Sequence, residues 1–146
     1  MKYFVFLLYL FLSVSQASDK VFPDAVVSSV SSVYDADTFR VNIEGWPDIV
    51  GKHMPVRVLG VDAPEIRGKC EAEKLAARSA KQFTVQFLRE GSYIELRNIK
   101  RGKYFRILAE VFVDGRNLAN ALIEANLARV YDGGKRQGWC SLPGYQ

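Results

Sequence analysis

Histidine is almost absent. His53 is the only one in 146 residues. That excludes a Ser-His-Asp triad, a histidine metal cluster and a histidine general base, unless His53 acts alone. Next to Lys52 it reads as an exposed loop residue. Cysteine is nearly as scarce. Cys70 and Cys140 lie far apart and have no histidine company, so they do not make a zinc site. No apolar run reaches the ~20 residues that a bilayer-spanning helix needs. Excess charge is also modest, with 20 basic against 16 acidic side chains and a formal +4. This permits an anionic partner without requiring one. Internal repeats, low-complexity segments and linkers are lacking after residue 20.

The first segment is "MKYFVFLLYLFLSVSQA". Lys2 precedes an apolar run over residues 3–12, and Ser15 and Ala17 occupy the −3 and −1 positions of a cleavage site. Residues 1–17 are therefore expected to be a secretory signal peptide. One domain, residues 18–146, would follow it into the periplasm or the medium.

Periodicity organises that domain. Phe39, Val41 and Ile43 alternate with polar neighbours, as on a strand. "HMPVRVLGV", "SYIELRNI" and "KYFRILAEVFV" read as further strands, with an Asp114-Gly115 turn after the last. Ala72, Ala76, Ala80, Phe83 and Phe87 recur at helical spacing, with Gly91 as a stop. "NLANALIEA" predicts a second short helix, and "YDGGKRQGWCSLPGYQ" reads as loop. The fold class expected is α+β, mainly β: a five-stranded antiparallel barrel of the oligonucleotide-binding type with two or three short helices.

"VRVLGVDAPEIRGKC", residues 56–70, breaks the pattern of a plain strand. Residues 57, 59 and 61 of a strand share a face, so Arg57 would sit beside Leu59 and Val61. A guanidinium on an apolar face is costly unless paired. Arg106 raises the same question, placed mid-strand with Tyr104 and Leu108. For each alone, an internal salt bridge to Asp62, Glu65 or Glu110 is the simpler expectation. The acids form two groups, Asp35 with Asp37, and Asp62 with Glu65. For Asp35 and Asp37 alone, turn chemistry suffices. Taken together, carboxylates without nitrogen or sulfur ligands suit a hard cation. Two arginines suit a phosphate, and a spare carboxylate suits proton abstraction from water. That combination is a phosphodiester-hydrolysing site.

"VYDADTFRV", "VRVLGVDAPE", "KYFRILAEVFVDGRNLANALIEANLARV" and "YDGGKRQGWC" carry a resemblance to the staphylococcal-nuclease-like (thermonuclease) family, from Val33 to at least Tyr131. The resemblance implies a calcium-dependent nuclease acting on DNA and RNA. It would cleave the 5′-O–P bond and leave 3′-phosphates, with little sequence specificity. It implies calcium held by Asp37, Asp62 and the backbone carbonyl of Ala63, Glu65 as general base, and Arg57 and Arg106 on the scissile phosphate. Lys103 and Tyr104 match residues that contact a terminal nucleotide phosphate. Tyr131 matches an aromatic near the base, and Asp35 an acid close to the metal. The chain departs from the family at Ala36 and Phe105, where glycine is usual, and at Ala63, where threonine is frequent. Cys70 and Cys140 hang from segments that the resemblance places around the site, so a Cys70–Cys140 disulfide formed after export is expected. A monomer with no stable protein partner and no membrane attachment after cleavage is implied. The alternative is a barrel that binds nucleic acid without cutting it.

Overall fold

An eleven-residue strand, β1 (Ala25–Asp35), runs into β2 (Thr38–Ile43) through the turn at Ala36 and Asp37. Three register shifts, at Val27/Ser29, Val30/Ser32 and Val33/Asp35, interrupt their pairing. Each extra residue bends and coils the strand, which is how a sheet curls towards closure. The computed structural model describes residues 20–140. The expected signal peptide and the end of the tail lie outside these residues.

After β2 come α1 (Asp48–Gly51), β3 (Met54–Val58) and β4 (Val61–Asp62). A 20-residue helix, α2 (Glu71–Glu90), leads to β5 (Ile94–Arg101) and β6 (Ile107–Val113). β7 (Arg116–Asn117), α3 (Leu118–Glu124) and β8 (Arg129–Val130) complete the described chain. The sheet order is β3-β2-β1-β5-β6-β7, and β3 also pairs with β6. The result is the closed five-stranded barrel with helices that the sequence predicts. Phe39, Val41 and Ile43 all face its core.

Two expectations change. The barrel is not wholly antiparallel, because β3 and β6 run parallel, with Val56 opposite Ile107 and Arg57 opposite Leu108. Around a ring of five strands, direction cannot alternate at every interface, so one pair must be parallel. The buried stripe of α2 is also displaced. It comprises Glu73, Ala77, Ala80, Thr84, Phe87 and Leu88, while Ala72, Ala76 and Phe83 are only partly covered. Two polar residues occupy the stripe, and a search for apolar spacing passes over them. The Thr84 hydroxyl donates to the Ala36 carbonyl at 2.8 Å and pins α2 to the β1–β2 turn.

Cys70 precedes α2 and is joined to Cys140, with a Cα–Cα distance of 6.0 Å. The bridge spans 70 residues of sequence, a loop for which chain entropy allows about 4 kcal/mol of stabilisation. Reduction is expected to lower the melting temperature by roughly 10–20 °C for a domain of this size. Thermal melts with and without reductant check this, and a shift below about 3 °C would show that the bridge adds little.

Candidate active site

β3 sends Met54, Val56 and Val58 into the core, which turns Arg57 the other way. The shared face expected for residues 57, 59 and 61 ends at Gly60. Its φ of +79° reverses the chain and makes Val61 the start of β4. Arg57 then meets acids from two elements. Its Nη1 lies 2.5 Å from Asp37 Oδ1 and its Nη2 lies 3.7 Å from Asp62 Oδ1. Both carboxylates are buried. Asp37 also accepts the backbone N–H of Ala63 at 3.0 Å and the Thr38 hydroxyl at 3.1 Å. Burial nonetheless raises its pKa above the usual carboxylate value.

Asp35 stands apart from this cluster. It accepts the Ile66 N–H at 3.1 Å and so ties down the loop that carries Glu65. Its pKa is raised, first by burial and then by the neighbouring Glu65 charge. Glu73 holds the same loop from the other side, accepting N–H groups of Lys69 at 3.0 Å and Glu65 at 3.4 Å. Gly68 lets it do so, since a Cβ there would lie 2.5 Å from Glu73 side-chain carbons. The sequence reading missed Glu73. Its signal was a glutamate at the third position of a helix, reaching back to the residues that precede it.

The tail, read as loop, lies across the acids. β4 and β8 pair Asp62 with Arg129. Arg129 donates to Asp62 Oδ2 from Nη2 at 2.9 Å and Nε at 3.1 Å, and the Trp139 indole N–H adds a third contact at 3.2 Å. Arg136 bonds Asp62 Oδ1 through Nε at 2.7 Å and Nη2 at 2.5 Å. Its Nη1 donates to Glu65. Burial works against the Arg136 charge, but the bonds to Glu65 and Asp62 outweigh it and hold its pKa above the ordinary arginine value. Arg136 and Trp139 were not singled out from sequence, because an aperiodic stretch does not reveal what it covers, and Arg129, on β8 just before that stretch, stood in no pattern that marked it. The disulfide expected at Cys140 was the one hint that this stretch returns to Glu65.

Arg106 is not mid-strand as expected. β6 starts at Ile107, and Arg106 follows a turn over Lys103, Tyr104 and Phe105 that closes with Gly102 N–H on its carbonyl at 2.7 Å. Tyr104 and Phe105 have φ of 57° and 56°, left-handed values that side chains disfavour. This turn is what interrupts the strand. Phe105 therefore adopts a conformation in which glycine would be unstrained, whereas Ala36 does not. Arg57 sits opposite Leu108, so Arg106 enters on the strand beside it. The Arg106 Nε is buried and has no hydrogen-bond partner among the described residues. The expectation of an internal salt bridge thus holds for Arg57 and, among the described residues, fails for Arg106. Lys103 and Tyr104 project from the turn, exposed. Tyr131 donates its N–H to the Gly60 carbonyl at 3.1 Å, continuing the β4–β8 pairing of Asp62 with Arg129, and its hydroxyl to the Gly134 carbonyl at 2.7 Å.

The donors suit a hard cation. Asp37 and Asp62 offer buried carboxylate oxygens around one guanidinium, and the Ala63 backbone touches Asp37. A cation there would take the place of arginine contacts and would reverse the upward pKa shift at Asp37. Cys70, Glu73 and Cys140 are also clustered, but the disulfide leaves no thiolate to bind a metal.

The model of the family described as staphylococcal nuclease homologue matches residues 55–138. Endonuclease YncB of Bacillus subtilis (strain 168) is 32% identical over 98 residues, covering 66% of this chain and 44% of that protein. Probable endonuclease lcl3 of Pyrenophora tritici-repentis (strain Pt-1C-BFP) is 26% identical over 133 residues, covering 74% of this chain and 48% of that protein. The chain thus spans less than half the length of each of these relatives.

Proposed function

Because the chain belongs to the staphylococcal nuclease homologue family, we propose that it is a calcium-dependent nuclease. It hydrolyses phosphodiester bonds of DNA and RNA at the 5′-O–P position and leaves 3′-phosphates. Phosphate-centred binding carries no base information, which fits little sequence specificity. The "MKYFVFLLYLFLSVSQA" segment and the Cys70–Cys140 bridge support export to the periplasm or the medium.

One observation carries the reading. Arg106, which precedes the strand paired with that of Arg57, keeps a buried Nε with no hydrogen-bond partner among the described residues. A buried donor without an acceptor is costly in a finished fold and useful in a site that awaits an anion. Arg57 and Arg106 would bind the scissile phosphate and oppose the charge that builds on its oxygens. Glu65, half-exposed at the rim, would take a proton from the attacking water. Arg136 neutralises Glu65 and Asp62 before substrate arrives. A phosphate would compete for that guanidinium and free Glu65 for the water. Lys103 and Tyr104 would meet a neighbouring phosphate, and Tyr131 a base. Asp37, Asp62 and the Ala63 carbonyl would hold the calcium, which when bound polarises a phosphoryl oxygen.

Plasmid DNA and RNA incubated with the purified protein test the reading. Cutting is expected with calcium at roughly millimolar levels, the range of weak extracellular sites. Chelator should abolish it. Magnesium should restore little, because it demands tighter octahedral geometry. Full cutting in chelator would sink the metal mechanism, and binding without cutting in calcium would leave a non-catalytic barrel.

A further inference from the structure

One face of α2 is unused by the site. Arg78, Lys81, Gln82 and Arg89 line an open groove of about 730 Å³, with Val85 and Ile66 also lining it. The groove shares Val85 and Arg89 with a second one of about 240 Å³ along β1, where Ser31 and Ser32 are exposed. Arg78, Lys81 and Arg89 have no ion-pair partner among the described residues. One acid, Glu90, also lines the groove, where it accepts from Gln86 at 2.7 Å. The groove therefore carries three cations against one lining carboxylate, Glu90, with amide and hydroxyl donors beside them. It also leads somewhere. Ile66 follows Glu65 and donates its N–H to Asp35, and the Lys81 charge reaches the Asp35 carboxylate.

Arg78, Lys81, Val85 and Arg89 recur on one face of the helix. From Arg78 to Arg89 the helix advances roughly 16 Å, enough to follow a few phosphates of an extended strand. Arginine, lysine, serine and glutamine donors are the usual partners of a phosphate backbone. A lone charge run is ordinarily a solvated face. This one is grooved, unpaired and continuous with the loop of the proposed base.

Resting on the nuclease reading, we propose that the α2 groove is a sugar-phosphate track that holds single-stranded nucleic acid extending from the Glu65 loop. It contributes affinity for long substrates without contacting the bond that is cut. Chain length beyond the scissile phosphate would thereby be sensed by charge and not by sequence.

The test compares wild type with an Arg78→Gln/Lys81→Gln/Arg89→Gln variant and with a Lys20→Gln/Arg40→Gln/Lys52→Gln control that removes the same charge outside the groove. Fluorescence anisotropy reads binding of a labelled single strand of about 20 nucleotides, longer than the ~4–16 nucleotides that one such barrel covers. Chelator is present so that nothing is cut. Each phosphate contact to a single strand contributes about 0.7 to the slope of log affinity against log salt. The groove variant should therefore lose about 2 from the slope and on the order of 100-fold in affinity at about 0.1 M salt. The control should stay near wild type. An unchanged slope in the groove variant, or an equal loss in the control, overturns the track. Cutting of the same strand by wild type in calcium is scored separately. Wild type that binds through the groove but fails to cut would refute the nuclease reading and leave the track standing.

Discussion

Glu65→Gln is expected to slow cleavage on the order of 10²–10⁴-fold, the usual loss for a missing general base. Folding and nucleic-acid binding should be retained. The substitution keeps the side chain's size, and its amide oxygen can still accept from Arg136. The loop itself is held by other groups: Asp35 on the Ile66 N–H, Glu73 on the Glu65 and Lys69 N–H groups, and the bridge at Cys70. What glutamine lacks is a site for the proton of the attacking water. Single-turnover rates with saturating enzyme isolate the chemical step, and a thermal melt confirms the fold. An unchanged rate would move the base elsewhere, with Asp35 next to be tested.

Arg106→Met is expected to lower turnover on the order of 10²–10³-fold, the loss typical of one donor that stabilises transition-state charge. Its stability should hold or rise. Removing a buried donor that lacks a partner relieves a cost of about 1–3 kcal/mol, and methionine refills the space with an apolar stem. Arg106→Lys should be nearly as damaging to turnover, since it keeps the charge and loses the planar fork. Arg57 predicts the opposite sign for stability. Arg57→Ala would leave Asp37 buried without its ion pair, so both activity and melting temperature should fall. Turnover and melts on the Arg106 and Arg57 variants separate the two roles. A lower melting temperature for Arg106→Met, with turnover intact, would make Arg106 a structural arginine.

Arg57 and Arg106 also show what was legible in the residue pattern. Both stood out as guanidinium groups on apparently apolar strands, and the pattern could not say which was paired. Asp37 comes from the β1–β2 turn and Asp62 from β4, so pairing at Arg57 depends on how those elements meet. The strand expected to carry Arg106 in its middle begins one residue later, because Tyr104 and Phe105 take left-handed backbone values. Nothing in side-chain alternation marks such a turn. Glu73 and Thr84 illustrate the same limit on α2. Helical spacing identified the element and its Gly91 end, but the face was inferred from apolar residues alone, and two buried polar side chains moved it.

Local order determined the main strands, the two main helices, the mainly β class and the candidates Asp35, Asp37, Asp62, Glu65, Arg57 and Arg106, because alternation, helical period and turn chemistry act between near neighbours. The parallel β3–β6 seam followed from closure of five strands, a property of the whole ring. Placement of Arg129, Arg136 and Trp139 over Asp62 was decided only by the tertiary structure, across more than 60 residues of sequence. The reason is physical. A buried carboxylate takes its donors from whatever backbone packing brings within hydrogen-bond reach, and that packing is set by the barrel, the helix pinned at Ala36 and the Cys70–Cys140 bridge together.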